Sequence, residues 1–349
     1  MAELNLKNAG LKFLITHHIG NKYKEENLKL ADESTYIDES SIKYLMKYFM
    51  NPFKNEEFYQ FTHSVDLDMN EVYQLVKKTF TENENFLATS RGLAKLLYEY
   101  TNHPNIKSGE FHVAYFSDIF YDNQVTDAIG IFKSESNVPF IKVEENQKVF
   151  TIQHDFGFEL KSMDKACLVL NSNSEEGFRI LAVDPTNKNA EANYWKNQFL
   201  KIKPIADEYN HTKQFLTLTK TFVNEQLPIE EEEVTKMEKI EIMSRSMEYF
   251  KEHTSFDKVE FEEEVLKEDK LIESFRKFDA NFQEEQNWEL SDNFEISSKA
   301  VKKQNSVYKS ILKLDKNFHI YIHGNRNLIE RGEDENGRKY YKLYFESEE

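Results

Sequence analysis

One cysteine, six prolines and ten glycines are spread through 349 residues, and each scarcity removes a class of protein. With Cys167 alone, neither an intramolecular disulfide framework nor a Cys-built zinc site can form. A reducing compartment is the expected setting. Glycine and proline are too few for collagen-like, Pro-rich or Gly/Ser-linker material. No apolar run approaches the roughly 20 residues of a membrane helix, so no membrane partner is expected. The start, Met1-Ala2-Glu3-Leu4-Asn5, has neither the basic residues nor the apolar core of a signal peptide. These absences together give the expectation of a soluble, cytoplasmic protein. Gly-x4-Gly-Lys-Ser/Thr, Gly-x-Gly-x-x-Gly and Gly-x-Ser-x-Gly are also missing, which removes the common phosphate loops and the nucleophile elbow. No cofactor is expected.

Aromatic residues are plentiful, with 28 Phe and 18 Tyr, so the chain can bury a large interior. Its length favours two units, or one core with an appended segment. Charge divides it further. The whole chain is acidic at −17, but residues 227–295 alone carry 22 acidic and 9 basic side chains. Residues 299–326 reverse the sign: Lys299, Lys302, Lys303, Lys309, Lys313, Lys316 and Arg326 stand against Asp315. An acidic balance repels bulk nucleic acid, because phosphate binding is driven by cationic side chains. A local basic island is exempt from that repulsion.

Hydrophobic period assigns the elements. Asp38 begins a helix carrying Ile42, Leu45, Met46 and Phe49, ending near Asn51-Pro52. Asp68 is expected to cap a second helix with Val72, Leu75, Val76 and Phe80, and residues 86–100 repeat the pattern. Residues 111–116, 128–132, 149–160, 166–170 and 178–183 read as strands, near enough in sequence for antiparallel pairing. Helices follow over 190–200 and 211–223. Strands flanked by helices, without regular βαβ alternation, give the fold class α+β, a mixed core with an antiparallel sheet and helices.

Val234, Met237, Ile240, Met243, Met247 and Phe250 place an apolar face on an acidic helix, to be buried on the core or on a second subunit of a homodimer. The sharper alternative is an arm that mimics nucleic-acid charge or docks a basic partner. Residues 307–314, 318–322 and 338–345 form a small β meander. The expected organisation is an α+β core over 1–226, an acidic helical segment over 227–295 and a basic β-meander unit over 296–349.

Candidate chemistry is sparse. His319-x3-His323 lies on a strand, where the two Cα atoms stand roughly 13 Å apart and cannot chelate one ion. His17 and His18 point to opposite faces. Cys167, inside Ala166-Cys167-Leu168-Val169-Leu170, reads as inert packing. Asp155, Glu159 and Lys161, with Asp122 and Asp127 upstream, resemble the carboxylate and Glu-x-Lys pattern of metal-dependent nucleases. Glu-x-Lys is common by chance in a chain with 31% charged residues. The basic island could track phosphates, Lys309, Ile311 and Lys313 sharing one strand face, against the plainer reading of a solvated sheet surface.

Glu191-Ala192-Asn193-Tyr194-Trp195-Lys196-Asn197-Gln198-Phe199-Leu200, with Thr212 and the helix over 215–223, resembles the middle of the bacterial nucleoid-associated protein family of 37-kDa, NdpA-type proteins. Residues Lys309 to Gly324 resemble that family's terminal motif, and segment order agrees over nearly the whole chain. The resemblance implies a cytoplasmic, nucleoid-associated protein without established catalytic activity. It implies DNA binding, and the expected route is either weak, non-specific contact with duplex DNA by the basic unit or association with a DNA-bound, DNA-processing protein. It supplies no DNA-contacting residues. The basic side chains named above are the residues expected to meet DNA.

Overall fold

A computed structural model describes residues 3–347 apart from 55–56, 82–85, 186–193, 228–235, 287, 289, 306–307, 309, 315, 317 and 323–327. The chain divides into two compact units, Met1–Ile205 and Ala206–Glu349.

The first unit is built on one antiparallel sheet. Its elements are β1 (Leu4–Asn5), β2 (Gly10–Ile19), α1 (Glu39–Met50), β3 (Phe58–Phe61), α2 (Glu71–Thr81), α3 (Phe86–Glu99), β4 (Gly109–Tyr121), β5 (Gln124–Ser134), β6 (Val138–Asn146), β7 (Val149–Gly157), β8 (Lys165–Leu170), β9 (Arg179–Val183) and β10 (Ile202–Pro204). Strand order is β1-β4-β5-β8-β9-β3-β10, with β2 also paired to β4. Both faces are buried. On one, Ile15, Phe111, Val113, Ile129, Ile131, Cys167 and Val169 share a core with Val72, Tyr73 and Val76 of α2 and Leu93, Ala94 and Leu97 of α3. On the other, Ala114, Phe116, Ala128, Phe132, Leu168 and Leu170 share a core with Tyr48 and Phe49 of α1. Burial on both faces explains why the central strands read as unbroken apolar runs rather than alternating ones. Cys167 is fully buried, and burial raises its thiol pKa far above the ordinary range.

Two expectations need correction here. The cap of α2 is Asn70, whose Oδ1 accepts from the Tyr73 amide at 3.0 Å. Asp68 sits instead in a preceding 3-10 turn, Leu67–Met69. The predicted strand over 149–160 also leaves the sheet: β7 pairs only with β6, in a separate two-stranded ribbon.

The two faces of that ribbon differ in composition. The register places Pro139 opposite Phe156, Ile141 opposite His154, Val143 opposite Ile152 and Glu145 opposite Phe150, all on one face. The other face carries Lys142 ion-paired to Glu144 with Gln153, Thr151 and Asp155, flanked by the exposed Val138, Phe140 and Val149. Both strands are exposed along nearly their whole length, Ile141 at 72% and Ile152 at 74%.

The second unit is mainly helical: α4 (Glu208–Thr221), α5 (Lys236–Glu252), β11 (Ser255–Asp257), α6 (Lys258–Phe261), α7 (Asp269–Gln286), β12 (Asn293–Glu295), α8 (Ser298–Asn305), β13 (Ser310–Leu314), β14 (Phe318–Ile322), β15 (Ile329–Glu333) and β16 (Lys339–Leu343). Asp207 caps α4 by accepting from the Asn210 amide at 2.8 Å, and π-helical turns follow α4 at 222–226 and α6 at 262–266. Phe215, Phe222, Phe250, Phe256, Phe261 and Phe275 form an aromatic core, with ring centroids as close as 4.2 Å for Phe215 and Phe256. The apolar face of α5 is rotated from its predicted position. Met247 and Phe250 are buried as expected, but Ile242 and Tyr249 join them while Ile240 and Met243 are half-buried; Val234 and the Met237 side chain lie outside the described residues. Instead of one meander, the terminal strands form two hairpins, β13 with β14 and β15 with β16.

Two histidines should make the stability of this unit depend on pH. The Nδ1 of His17 accepts from the Ala31 amide at 3.0 Å, and Nε2 lies 3.2 Å from Ser90 Oγ. Burial, then the nearby Arg91 guanidinium, lowers its pKa from 6.5 to about 4. His112 is lowered to about 4 by burial and by His17. The unfolded chain therefore takes up these protons near pH 6.5 and the folded chain only near pH 4. Stability should fall as pH drops through that window, by up to about 1.4 kcal/mol per pH unit for each imidazole. Urea unfolding at pH 7, 6 and 5 measures the slope, and His17→Gln should make it shallower.

Candidate functional site

The basic island lies in the second unit. Lys299, Lys302 and Lys303 recur at helical spacing on α8, and all three are exposed, opposite the buried Ala300 and Val301. The Ser297 hydroxyl accepts from the Ala300 amide at 3.4 Å, and the Ser297 amide donates to Thr212 Oγ1 at 3.0 Å, fixing the start of α8 on α4. Lys303 Nζ stands 6.0 Å from the Tyr209 ring centroid. In the following hairpin, Lys313 is opposite His319 and Ile311 opposite Tyr321, so these four positions share one face. Lys316 is exposed at the turn. Lys309, Arg326 and His323 lie outside the described residues. The structure thus gathers Lys299, Lys302 and Lys303 on one helix and aligns Lys313 with His319.

The nuclease set is not gathered in that way. Asp155 is exposed on β7, with its Oδ1 accepting from the Phe156 amide, and Glu159 and Lys161 are exposed beyond the ribbon. Asp127 accepts from the Tyr115 hydroxyl at 2.7 Å. Among the described residues, the one group with metal-compatible donor spacing is elsewhere, at His253, Glu260 and Glu264. A small cleft of about 350 Å³ in the second unit is lined by Asp257, Lys258, Val259, Glu262, Arg276, Asp292 and Asn293. Its cations are engaged: Lys258 meets Asp279 at 2.6 Å, and Arg276 forks onto Glu262.

Sequence reasoning missed a buried ion cluster at one end of the sheet. Lys133 of β5 and Lys165 of β8 are directly opposed across the two strands. Two opposed ammonium groups repel, and neither has water to screen it. Carboxylates hold them instead. Lys133 Nζ donates to Glu135 at 2.8 Å and to the Lys107 carbonyl at 2.6 Å, while Lys165 Nζ meets Asp184 at 2.9 Å. Asp164 accepts from the Glu135 and Ser136 amides at 2.7 and 3.1 Å. The Tyr194 ring lies 5.8 Å from the Lys133 ammonium and 5.1 Å from that of Lys165, and its hydroxyl donates to Glu135 at 3.1 Å. Burial pulls the Lys133 pKa down against the Glu135 carboxylate, and burial next to Glu135 drives the Tyr194 phenol well up.

Tyr194 opens a π-helical segment, Tyr194–Leu200, whose Trp195, Phe199 and Leu200 enter the sheet core. Residues 190–193, also expected to be helical, lie outside the described residues. The family model described as nucleoid-associated protein YejK (NA37) matches residues 15–338. The chain belongs to this nucleoid-associated family. Comparison with curated proteins gives no match. Family membership thus spans the sheet, the ion cluster, the acidic helices and the basic island, and the described helices include none long and apolar enough to cross a membrane. Within the segment that carries the resemblance, Trp195, Phe199 and Leu200 fill the core and Tyr194 covers buried charge. Replacing Lys165 with Met should cost about 3–5 kcal/mol, because the Asp184 carboxylate would lose its buried cation. Equilibrium urea unfolding checks the loss.

Proposed function

We propose that this nucleoid-associated protein contacts duplex DNA weakly and without sequence preference through its basic island: Lys299, Lys302, Lys303, Lys309, Lys313, Lys316 and Arg326. The observation that carries this reading is the three-lysine face of α8 in a chain of a nucleoid-associated family. Ammonium groups at helical spacing neutralise phosphates and read no bases, so the contact positions the protein without choosing a site. No catalytic step is part of this reading, and its location is the cytoplasmic nucleoid. A DNA-bound, DNA-processing protein is the alternative route to the nucleoid. If the lysines meet phosphates, log affinity should fall with log salt at a slope of about −0.9 per phosphate, on the order of −3 to −5 in all. Lys302→Glu with Lys303→Glu, and separately Lys309→Glu with Lys313→Glu, should weaken binding on all sequences alike in gel shifts. Unchanged affinity with persistent nucleoid co-localisation would assign the association to a protein partner.

The reading includes a homodimer, joined through the apolar face of the β6–β7 ribbon. Ile141, Val143, Phe150, Ile152 and Phe156 expose on the order of 600 Å² there, at about 100–150 Å² each. Buried on both copies, that area would exceed the roughly 1,000 Å² expected of a specific interface. Each ribbon carries Lys142 and Lys148 against Glu144, Glu145 and Asp155, so phosphate is not its natural ligand. Elsewhere the acidic surface sets two copies against each other. Ile152→Asp should convert a dimer to a monomer by sedimentation without lowering the melting temperature. A wild-type monomer at tens of micromolar would refute the dimer and leave the DNA proposal intact.

A further inference from the structure

A group of donor atoms in the second unit takes no part in the DNA reading. His253 follows α5, Glu260 lies in α6, and Glu264 lies in the π-helical turn Glu262–Leu266. One atom from each lies within 4.8 Å of the other two. His253 Nε2 is 4.0 Å from Glu260 Oε1 and 3.9 Å from Glu264 Oε2.

The surroundings decide what each atom is free to do. His253 Nδ1 is 3.0 Å from the Tyr249 carbonyl oxygen. A carbonyl only accepts, so Nδ1 carries the proton and Nε2 faces the carboxylates. The Tyr249 ring stacks on the imidazole, centroids 4.1 Å apart at 18°, and holds its plane. The Tyr249 hydroxyl donates to Glu260 Oε2 at 2.8 Å, which leaves Oε1 for the cluster. These outer contacts orient a ligating histidine and a carboxylate in the way metal sites require.

No proton bridges the imidazole to either carboxylate. A proton bridging nitrogen and oxygen draws them to about 2.7–3.2 Å. The observed gaps of 3.9 and 4.0 Å are too long for that. Donors bound to one ion at roughly 2.0–2.2 Å and near-tetrahedral angles stand about 3.3–3.6 Å apart, so rotation of the two half-exposed glutamates has to close these gaps by about half an ångström. Among the described residues, neither Glu260 nor Glu264 has a Lys or Arg ion pair, so no resident cation competes for them.

We propose that His253, Glu260 and Glu264 bind one divalent transition-metal ion, with water completing its coordination. One imidazole and two carboxylates suit Zn²⁺, Co²⁺ or Mn²⁺ better than Ca²⁺, which takes oxygen ligands alone. The ion would tie the end of α5 to α6 across β11, a structural clamp with an open face.

The test uses untagged, full-length protein stripped with chelator. Co²⁺ titration should give a visible absorption band that saturates at one ion per chain, and Zn²⁺ should displace it. Zn²⁺ should also raise the melting temperature by several degrees. His253→Ala should abolish the band, and Glu264→Gln, which keeps side-chain size, should weaken binding at least tenfold. Melting of the metal-free variants alongside metal-free wild type separates lost binding from lost folding. A band that is missing in wild type, or that survives unchanged in Glu264→Gln with a folded chain, overturns the proposal.

Discussion

Two lysines face each other across β5 and β8, and much of the first unit is arranged around that opposition. A buried ammonium pair is tolerable only when anions and polarisable surface replace the lost water. Glu135 lies just beyond β5, Asp164 just before β8, and Asp184 just beyond β9, so the end of the sheet gathers a carboxylate from each neighbouring turn. Tyr194 completes the arrangement with its ring toward both ammonium groups and its hydroxyl on Glu135. The cluster therefore ties the 194–200 segment to the sheet. Trp195 and Phe199 are then delivered to the core as a consequence of where Tyr194 must be.

How much of this could be read in advance depends on the range of the interaction. The central strands were legible because Ala166–Leu170 and Ala128–Phe132 are apolar throughout, as burial on both faces demands. Cys167 followed from the same pattern. Helices α1 and α3 followed from period. The α2 cap did not, because Asp68 and Asn70 are both good caps and only the 3-10 turn decides between them. Strand β6 was hidden by Pro139 and by a polar second half, although Ile141 and Val143 alternate correctly. The terminal turns were visible, but turn residues do not say which strands pair next, and the meander became two hairpins. The Lys133 cluster was out of reach, since Lys133 and Tyr194 are 61 residues apart and each charged member alone looks like an ordinary surface group. His253 and Glu260 were equally silent, though Glu260-x3-Glu264 is a spacing that places two carboxylates one helical turn apart.

The basic island was legible as composition and partly as structure. Charge counting identified the residues, and α8 shows why three of them share a face: Ala300 and Val301 must turn inward. The acidic stretch before it is less uniform than its count suggests. Glu262 and Asp279 are buried, each held by a cation, while Glu260 and Glu264 remain outward. The count of acidic side chains thus overstates the anions that face solvent, because Glu262 and Asp279 are internally neutralised, while the net charge already includes their cations.

The β6–β7 ribbon has a kinetic side. Its strands are joined by Gln147 and Lys148 alone, both left-handed at φ 50° and 68°. Contacts within it span only neighbouring sequence, whereas the main sheet must bring β3 back beside β9 across more than a hundred residues. Hairpins of such local pairing close on the order of microseconds, well before long-range sheets assemble. The apolar face is consequently formed early, while the rest of the unit is still incomplete. During synthesis it emerges before β8 and β9, so it is complete while the strands that close the sheet are still unmade.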